Sequence, residues 1–260
     1  MSAAPMRLKT RIQAQDPVVG TFVLASPRPA IARAAVRAGA DFVLVDGEHT
    51  GFGWETIGTF VSAVRTAGGV PFVRVPAARR EYIGMALDMG AVGLMVPMVG
   101  SADEAREIVS WAKYPPTGVR GAMFGLAGHD FDLVEPNSAM WKSNADTILM
   151  LQIETQEGLD NVEEIAAVEG VDILWIGHWD LSISMGIPTQ FEHERFQAAV
   201  DRIVAAAAAN GKAAGFLADD AEHAAELVAR GFRVLAWGSD LALYRTALST
   251  GLNEIRDALD

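Results

Sequence analysis

The chain has 260 residues, half of them hydrophobic, and a formal net charge of −12, which allows one large core and suits the length of a single (β/α)8 barrel. The acidic balance, with no Lys/Arg-rich run, argues against nucleic acid and anionic membranes as partners. The absence of cysteine excludes disulfides, thiolate nucleophiles and Cys-ligated zinc; with no apolar leader in residues 1–16 and no apolar run long enough to span a bilayer, a cytoplasmic protein is expected.

Along the chain a helical pattern repeatedly ends at a glycine and an apolar run follows. This occurs at Gly39 before Phe42-Val43-Leu44-Val45, and at Gly90 before Leu94-Met95-Val96. It recurs at Gly170 before Ile173-Leu174-Trp175-Ile176, and at Gly231 before Val234-Leu235-Ala236. Glycine supplies the left-handed helix C-cap. Runs without polar alternation fit strands buried on both faces of a parallel sheet. Eight strands are predicted, over 18–25, 42–46, 70–75, 92–99, 147–153, 172–176, 212–217 and 232–237, each followed by a helical pattern. Ser26-Pro27 reads as the start of the helix after the first strand, Ser101-Ala102-Asp103-Glu104 as a capping box and Asp220 as an N-cap. Residues 114–144 form the one long irregular stretch, a place where function often resides. The last helix, 241–259, carries Leu241, Leu243, Leu248 and Ile255; it either packs on a neighbour or covers its own barrel. Eight βα units without a change of composition give one α/β domain over 1–260, a closed (β/α)8 TIM barrel.

In such a barrel the site lies at the C-terminal strand ends. The polar residues there are Asp46-Gly47-Glu48-His49 on the second strand, Arg74 on the third and Gln152-Ile153-Glu154 on the fifth. The sixth ends in Gly177-His178-Trp179-Asp180 and the eighth in Ser239-Asp240. Glu154 and Asp180 leave adjacent strands, about 5 Å apart, so they either share a cation such as Mg²⁺ or Mn²⁺ or remain two solvated acids. Arg74 serves either a substrate anion or a structural pair with Asp46 or Glu48. His49 is a candidate base. Lys9, Lys113, Lys142 and Lys212 are the only lysines, and none ends a strand at the mouth. A Schiff-base mechanism is therefore disfavoured. No nucleophile elbow and no nucleotide-binding glycine motif is present.

Six motifs occur in one order: Val45-Asp46-Gly47-Glu48-His49, Val73-Arg74, Val96-Pro97-Met98-Val99, Tyr114-Pro115-Pro116-Thr117-Gly118-Val119-Arg120-Gly121, Gln152-Ile153-Glu154-Thr155, and Ile176-Gly177 with Asp180-Leu181-Ser182. The series closely resembles the class II pyruvate aldolases of the 4-hydroxy-2-oxoheptanedioate and 2-dehydro-3-deoxyglucarate group, over roughly residues 6–250. The resemblance implies a divalent cation (Mg²⁺ or Mn²⁺, with Co²⁺ also possible) held by Glu154 and Asp180. It implies His49 as base, Arg74 as the group that stabilises an enolate, and Gln152, Asp180 and the Trp179 backbone N–H as pyruvate contacts. It implies Asp88 as an acid that raises the basicity of the histidine. Asp88 ends the third helix, at the far end of the barrel from His49, so that role requires a subunit contact or an irregular helix. The family forms homotrimers or homohexamers.

The expected substrates are pyruvate and an aldehyde, or a 4-hydroxy-2-oxo acid. The alternatives are cleavage of a malyl- or citramalyl-thioester, and a non-catalytic barrel that binds oxo acids. His178-Trp179 stands where close relatives carry Pro and a small residue, which leaves the aldehyde open, as does the loop 124–132.

Overall fold

The computed structural model describes residues 4–259. Eight strands close into a parallel barrel in sequence order: β1 (Val18–Val23), β2 (Val43–Asp46), β3 (Pro71–Arg74), β4 (Gly93–Val96), β5 (Ile148–Ile153), β6 (Ile173–Ile176), β7 (Ala213–Ala218) and β8 (Phe232–Ser239). β8 pairs back onto β1, with Val18 opposite Val234. The fold is the (β/α)8 barrel that the sequence predicts.

The helices in chain order are α1 (Ala4–Gln13), α2 (Pro29–Arg37), α3 (Trp54–Thr66), α4 (Arg80–Asp88), α5 (Ala102–Ala112), α6 (Pro136–Asp146), α7 (Gln156–Asp160), α8 (Val162–Ala166), α9 (His178–Ser184), α10 (Glu194–Ala209), α11 (Ala221–Arg230) and α12 (Asp240–Asp257). No helix among the described residues is long and apolar enough to cross a membrane.

Two apolar layers follow from the strand alternation. Inward residues, among them Leu44, Phe72, Met95, Met150, Trp175 and Val234, fill the barrel, and Leu8 and Ile12 of α1 close its lower end. Outward residues such as Val45, Val73, Leu151 and Leu174 pack under the helices. Large rings face glycine across the interior. A Cβ on Gly93 would lie 2.3 Å from the Phe72 ring, and one on Gly215 would lie 2.5 Å from Trp175. These positions need glycine because close-packed interiors leave no room for a methyl.

The expected caps at Ser101 and Asp220 form: Ser101 accepts from the Glu104 N–H and Asp220 from the His223 N–H. The expected start at Ser26-Pro27 does not. α2 begins two residues later, with Arg28 at the N-cap and Pro29 in the first turn. The reason is long-range: the Asp240 carboxylate accepts from the backbone N–H groups of Leu24, Ala25 and Ser26 and holds that segment in a bend outside the helix.

The irregular stretch after α5 folds beneath the barrel. It contains a 3-10 turn (Ala127–His129) and α6. One face of α6, with Glu135 before it, borders a cavity of about 550 Å³ that also meets Arg65, Leu87, Arg120 and His129. This cavity is at the opposite end of the barrel from the strand tips. The last helix, α12, buries no residue and leaves Leu241, Tyr244, Leu248, Leu252 and Ile255 exposed.

Candidate active site

The mouth is organised by Asp46, which is fully buried. One carboxylate oxygen accepts from the Glu48 N–H at 3.0 Å and from Arg74 Nε at 2.6 Å. The other accepts from the His49 N–H at 3.1 Å. The Thr50 hydroxyl donates to the Asp46 carbonyl at 2.6 Å. A short polar residue at a strand end thus folds the 46–50 turn over itself and fixes Arg74. The structural pairing expected for Arg74 is present: Nη1 also lies 3.4 Å from Glu48 Oε2. Its guanidinium sits 5.8 Å from the Phe22 ring centre. Among the described residues, the remaining N–H groups of the fork make no hydrogen bond to protein.

His49 stands at the rim, with 61 % of its side chain exposed and Nε2 3.4 Å from Glu48 Oε2. Burial raises the Glu48 carboxyl above its ordinary range, against the lowering effect of Arg74 and His49.

A second buried acid follows β5 directly. Glu154 is 2 % exposed. Its Oε1 accepts from the Met98 N–H at 2.7 Å, and its Oε2 accepts from Gln152 Nε2. Met98 adopts φ +60° to present that N–H, a conformation uncommon for a residue other than glycine. Gly177 makes room for the pair: a Cβ there would fall 2.2 Å from Glu154 Oε2 and 2.8 Å from Gln152 Nε2. Burial pushes the Glu154 carboxyl up to about 7, helped by the like charges of Glu48 and Asp180 and opposed by the Met98 N–H. Asp180 lies in the first turn of α9, directly beyond β6, and Trp179 beside it is 55 % exposed.

Four carboxylates, Asp46, Glu48, Glu154 and Asp180, therefore meet one guanidinium and one imidazole. Two buried oxygens here, Glu48 Oε2 and Gln152 Oε1, make no hydrogen bond. Surplus negative charge and unpaired oxygen are what a hard divalent cation and an oxygen-rich substrate would relieve. Each Glu154 oxygen keeps a lone pair beyond its present bond. No three potential metal-ligating side chains gather among the described residues, so two carboxylates would leave several cation positions to water and substrate. The donor set fits Mg²⁺ or Mn²⁺ on these grounds.

Asp88 is not part of this cluster. It ends α4 beneath the barrel, where Arg120 Nη2 donates to it at 2.7 Å. The lysines stay away as well. Lys9 bridges to Asp172 and the Thr147 carbonyl, Lys113 donates to the Asn144 and Thr147 carbonyls, and Lys142 pairs with Asp146. Asp240 is bound to the β1–α2 segment. Sequence reasoning missed the Met98 N–H, the space at Gly177 and the central place of Asp46. Only Asp46 had a sequence signal, a carboxylate two and three residues before free N–H groups.

A family model described as HpcH/HpaI aldolase/citrate lyase matches residues 19–247. A 2-keto-3-deoxy-L-rhamnonate aldolase of Klebsiella pneumoniae is 36 % identical over 230 residues, 88 % of this chain and 85 % of that protein. The crystal structure of an HpcH/HpaI aldolase from Desulfitobacterium hafniense superimposes with a TM-score of 0.90 at 35 % identity, covering 95 % of this chain and 96 % of the other. The structure of the citrate synthase SbnG matches with a TM-score of 0.85 at 31 % identity, over 96 % and 97 % of the two chains. The chain belongs to the HpcH/HpaI aldolase/citrate lyase family and is a carbon–carbon lyase.

Proposed function

We propose that the protein is a metal-dependent pyruvate aldolase, which joins pyruvate to an aldehyde or cleaves a 4-hydroxy-2-oxo acid. The observation that carries this reading is the surplus of carboxylate at the strand tips around one fixed guanidinium. Glu154 and Asp180 would hold Mg²⁺ or Mn²⁺, and Co²⁺ suits the same donors. A cation bound there supplies Lewis acidity to the oxo acid.

The side chains divide the remaining work. Arg74, held through Nε by Asp46, offers its other donors to the enolate oxygen without reorganising. His49 accepts a proton from the pyruvate methyl group; its exposed rim position gives it access to solvent and substrate. Gln152 places a buried amide oxygen and amide nitrogen beside Glu154. Trp179 contributes its backbone N–H from the first turn of α9, where N–H groups have no intrahelical acceptor. The positions of these residues at the tips of β2, β3, β5 and β6 support the reading, as does the aldolase activity named for the Klebsiella relative.

The working enzyme is proposed to be a homotrimer or homohexamer in the cytoplasm. The support is α12, whose Leu241, Tyr244, Leu248, Leu252 and Ile255 lie exposed on a helix with no buried residue. Such a face is covered by a second copy. In that assembly Asp88 reaches a neighbour's His49 and raises its basicity. An assembly in which Asp88 stays more than about 6 Å from every His49 rules this role out.

The test is exchange of the pyruvate methyl protons in deuterated water, followed by NMR. Exchange that requires Mg²⁺ or Mn²⁺ is expected. A folded protein that exchanges no protons with any divalent cation overturns the reading.

A further inference from the structure

Two large apolar side chains stand exposed on either side of Glu154. Met98 is 55 % exposed and Trp179 is 55 % exposed. Both are placed by the machinery of the site itself. Met98 holds its left-handed backbone while its N–H donates to Glu154. Trp179 immediately precedes Asp180 at the start of α9.

The indole is braced. The Phe191 ring meets it edge-on, 5.3 Å away at 89°, and His178 lies 5.6 Å from it. His178 in turn packs on Phe191 at 5.2 Å and on Phe216 at 5.1 Å. One turn further on, Ile183 is also exposed, at 57 %, and continues the apolar face of α9.

Strand order sets the spacing. β4, β5 and β6 are consecutive neighbours, so the segments carrying Met98 and Trp179 are about 10 Å apart, two strand spacings. A flat ring between two apolar walls needs roughly 7 Å, at about 3.5 Å per contact. Thioether and indole both make favourable contacts with aromatic rings. Neither offers the paired donors and acceptors that the hydroxyls of a sugar-like aldehyde would need on leaving water.

We infer that Met98 and Trp179 form a slot for the second substrate, and that this substrate is an aldehyde bearing an aromatic ring on its carbonyl carbon. The inference rests on the pyruvate-aldolase reading and names its acceptor class. The new bond joins the pyruvate methyl carbon to the aldehyde carbon. The methyl group loses one proton, and the former aldehyde oxygen gains one to become a hydroxyl. The product is a 4-aryl-4-hydroxy-2-oxo acid, and no oxidant or reductant enters. Apolar contacts of this kind discriminate by one or two orders of magnitude.

The experiment compares benzaldehyde with glycolaldehyde as acceptors for pyruvate and Mn²⁺, in the wild type, Trp179→Ala and Trp179→Phe. Benzaldehyde is expected to have the higher kcat/KM by at least tenfold. Trp179→Ala lowers that ratio about tenfold, and Trp179→Phe restores most of it. A binding measurement stands beside the rates: saturation-transfer NMR of benzyl alcohol, an unreactive analogue, against glycerol. Transfer to benzyl alcohol is expected in the wild type and in Trp179→Phe, and is lost in Trp179→Ala. If the wild type exchanges pyruvate protons yet prefers glycolaldehyde, or if Trp179→Ala leaves both the ratio and the transfer unchanged, the slot is refuted and the aldolase reading stands. If the wild type exchanges no pyruvate protons, both are refuted.

Discussion

The two ends of this barrel both bury charge, and they do so under different rules. Beneath the barrel each of these cations has an anion or carbonyl partner: Arg120 meets Asp88, Arg65 meets Asp130, Lys142 meets Asp146, and Lys113 donates to two carbonyl oxygens. At the mouth, Asp46, Glu48, Glu154 and Asp180 share Arg74, and the Glu154 carboxyl rises to about 7. Balanced pairs hold a structure together at modest net gain. An unbalanced cluster is unfavourable alone and gains from a bound cation. The mouth thus carries surplus anion that a cation would relieve, whereas the lower end carries desolvated cations, the Lys113 amine being lowered to about 7 by burial and by Lys9.

The largest expected effect breaks the mouth. Glu154→Ala and Asp180→Ala should each lower metal-dependent pyruvate proton exchange by about 10³-fold or more, since the cation supplies several kcal/mol of charge stabilisation. Unchanged exchange in Glu154→Ala refutes the ligand assignment. Arg74→Lys keeps the charge and loses the fork held by Asp46. Exchange should fall about 10²-fold, with the folded spectrum by circular dichroism retained.

At the lower end the readout is stability. Arg120→Met leaves Asp88 without its ion pair and removes the cation packed 4.5 Å over the Tyr114 ring. A loss of about 2–4 kcal/mol is expected in urea melts; a change below 0.5 kcal/mol would show that the pairing is incidental.

The metal-free protein gives a smaller effect of opposite sign. A carboxyl whose pKa is higher in the folded than in the unfolded chain binds protons preferentially in the native state. Stability is then lost as pH rises from the ordinary glutamate range, about 4.3, through about 7. Glu154→Gln removes that loss. It should raise the unfolding free energy of the metal-free protein at pH 8 by about 1–3 kcal/mol, and by little at pH 5. Equal melting temperatures of variant and wild type at pH 8 would argue against a strained carboxylate. Smallest is Ser101→Ala, which removes an α5 cap at about 1 kcal/mol.

The fold was legible because the glycine-ended helix followed by an unbroken apolar run recurs four times among eight strand-like segments, each followed by a helical pattern. The tips of β2, β3, β5 and β6 followed from the barrel alone, since their polar residues end apolar runs. What sequence could not convey depends on contacts between distant residues. Ser26-Pro27 has a good local helix-start pattern, yet Asp240, more than 200 residues later, holds that segment out of the helix. Met98 looks like core filling beside Met95, and only the position of Glu154 gives its backbone a task. The long stretch 114–144 packs beneath the barrel around Arg120 and His129, away from the strand tips, because it connects a helix to a strand and so lies at the strand-start end.

The clasp between Asp240 and residues 24–26 also bears on how the protein comes into being. During synthesis β1 emerges first, but its second neighbour, β8, and the carboxylate that ties its far end are made last. A nascent chain therefore carries an open strand edge until β8 has been made, a condition that favours pairing with other chains. Closure of the ring is a late, non-local event, and such contacts slow folding. Asp240→Ala would be felt first in the yield of soluble protein from newly made chains.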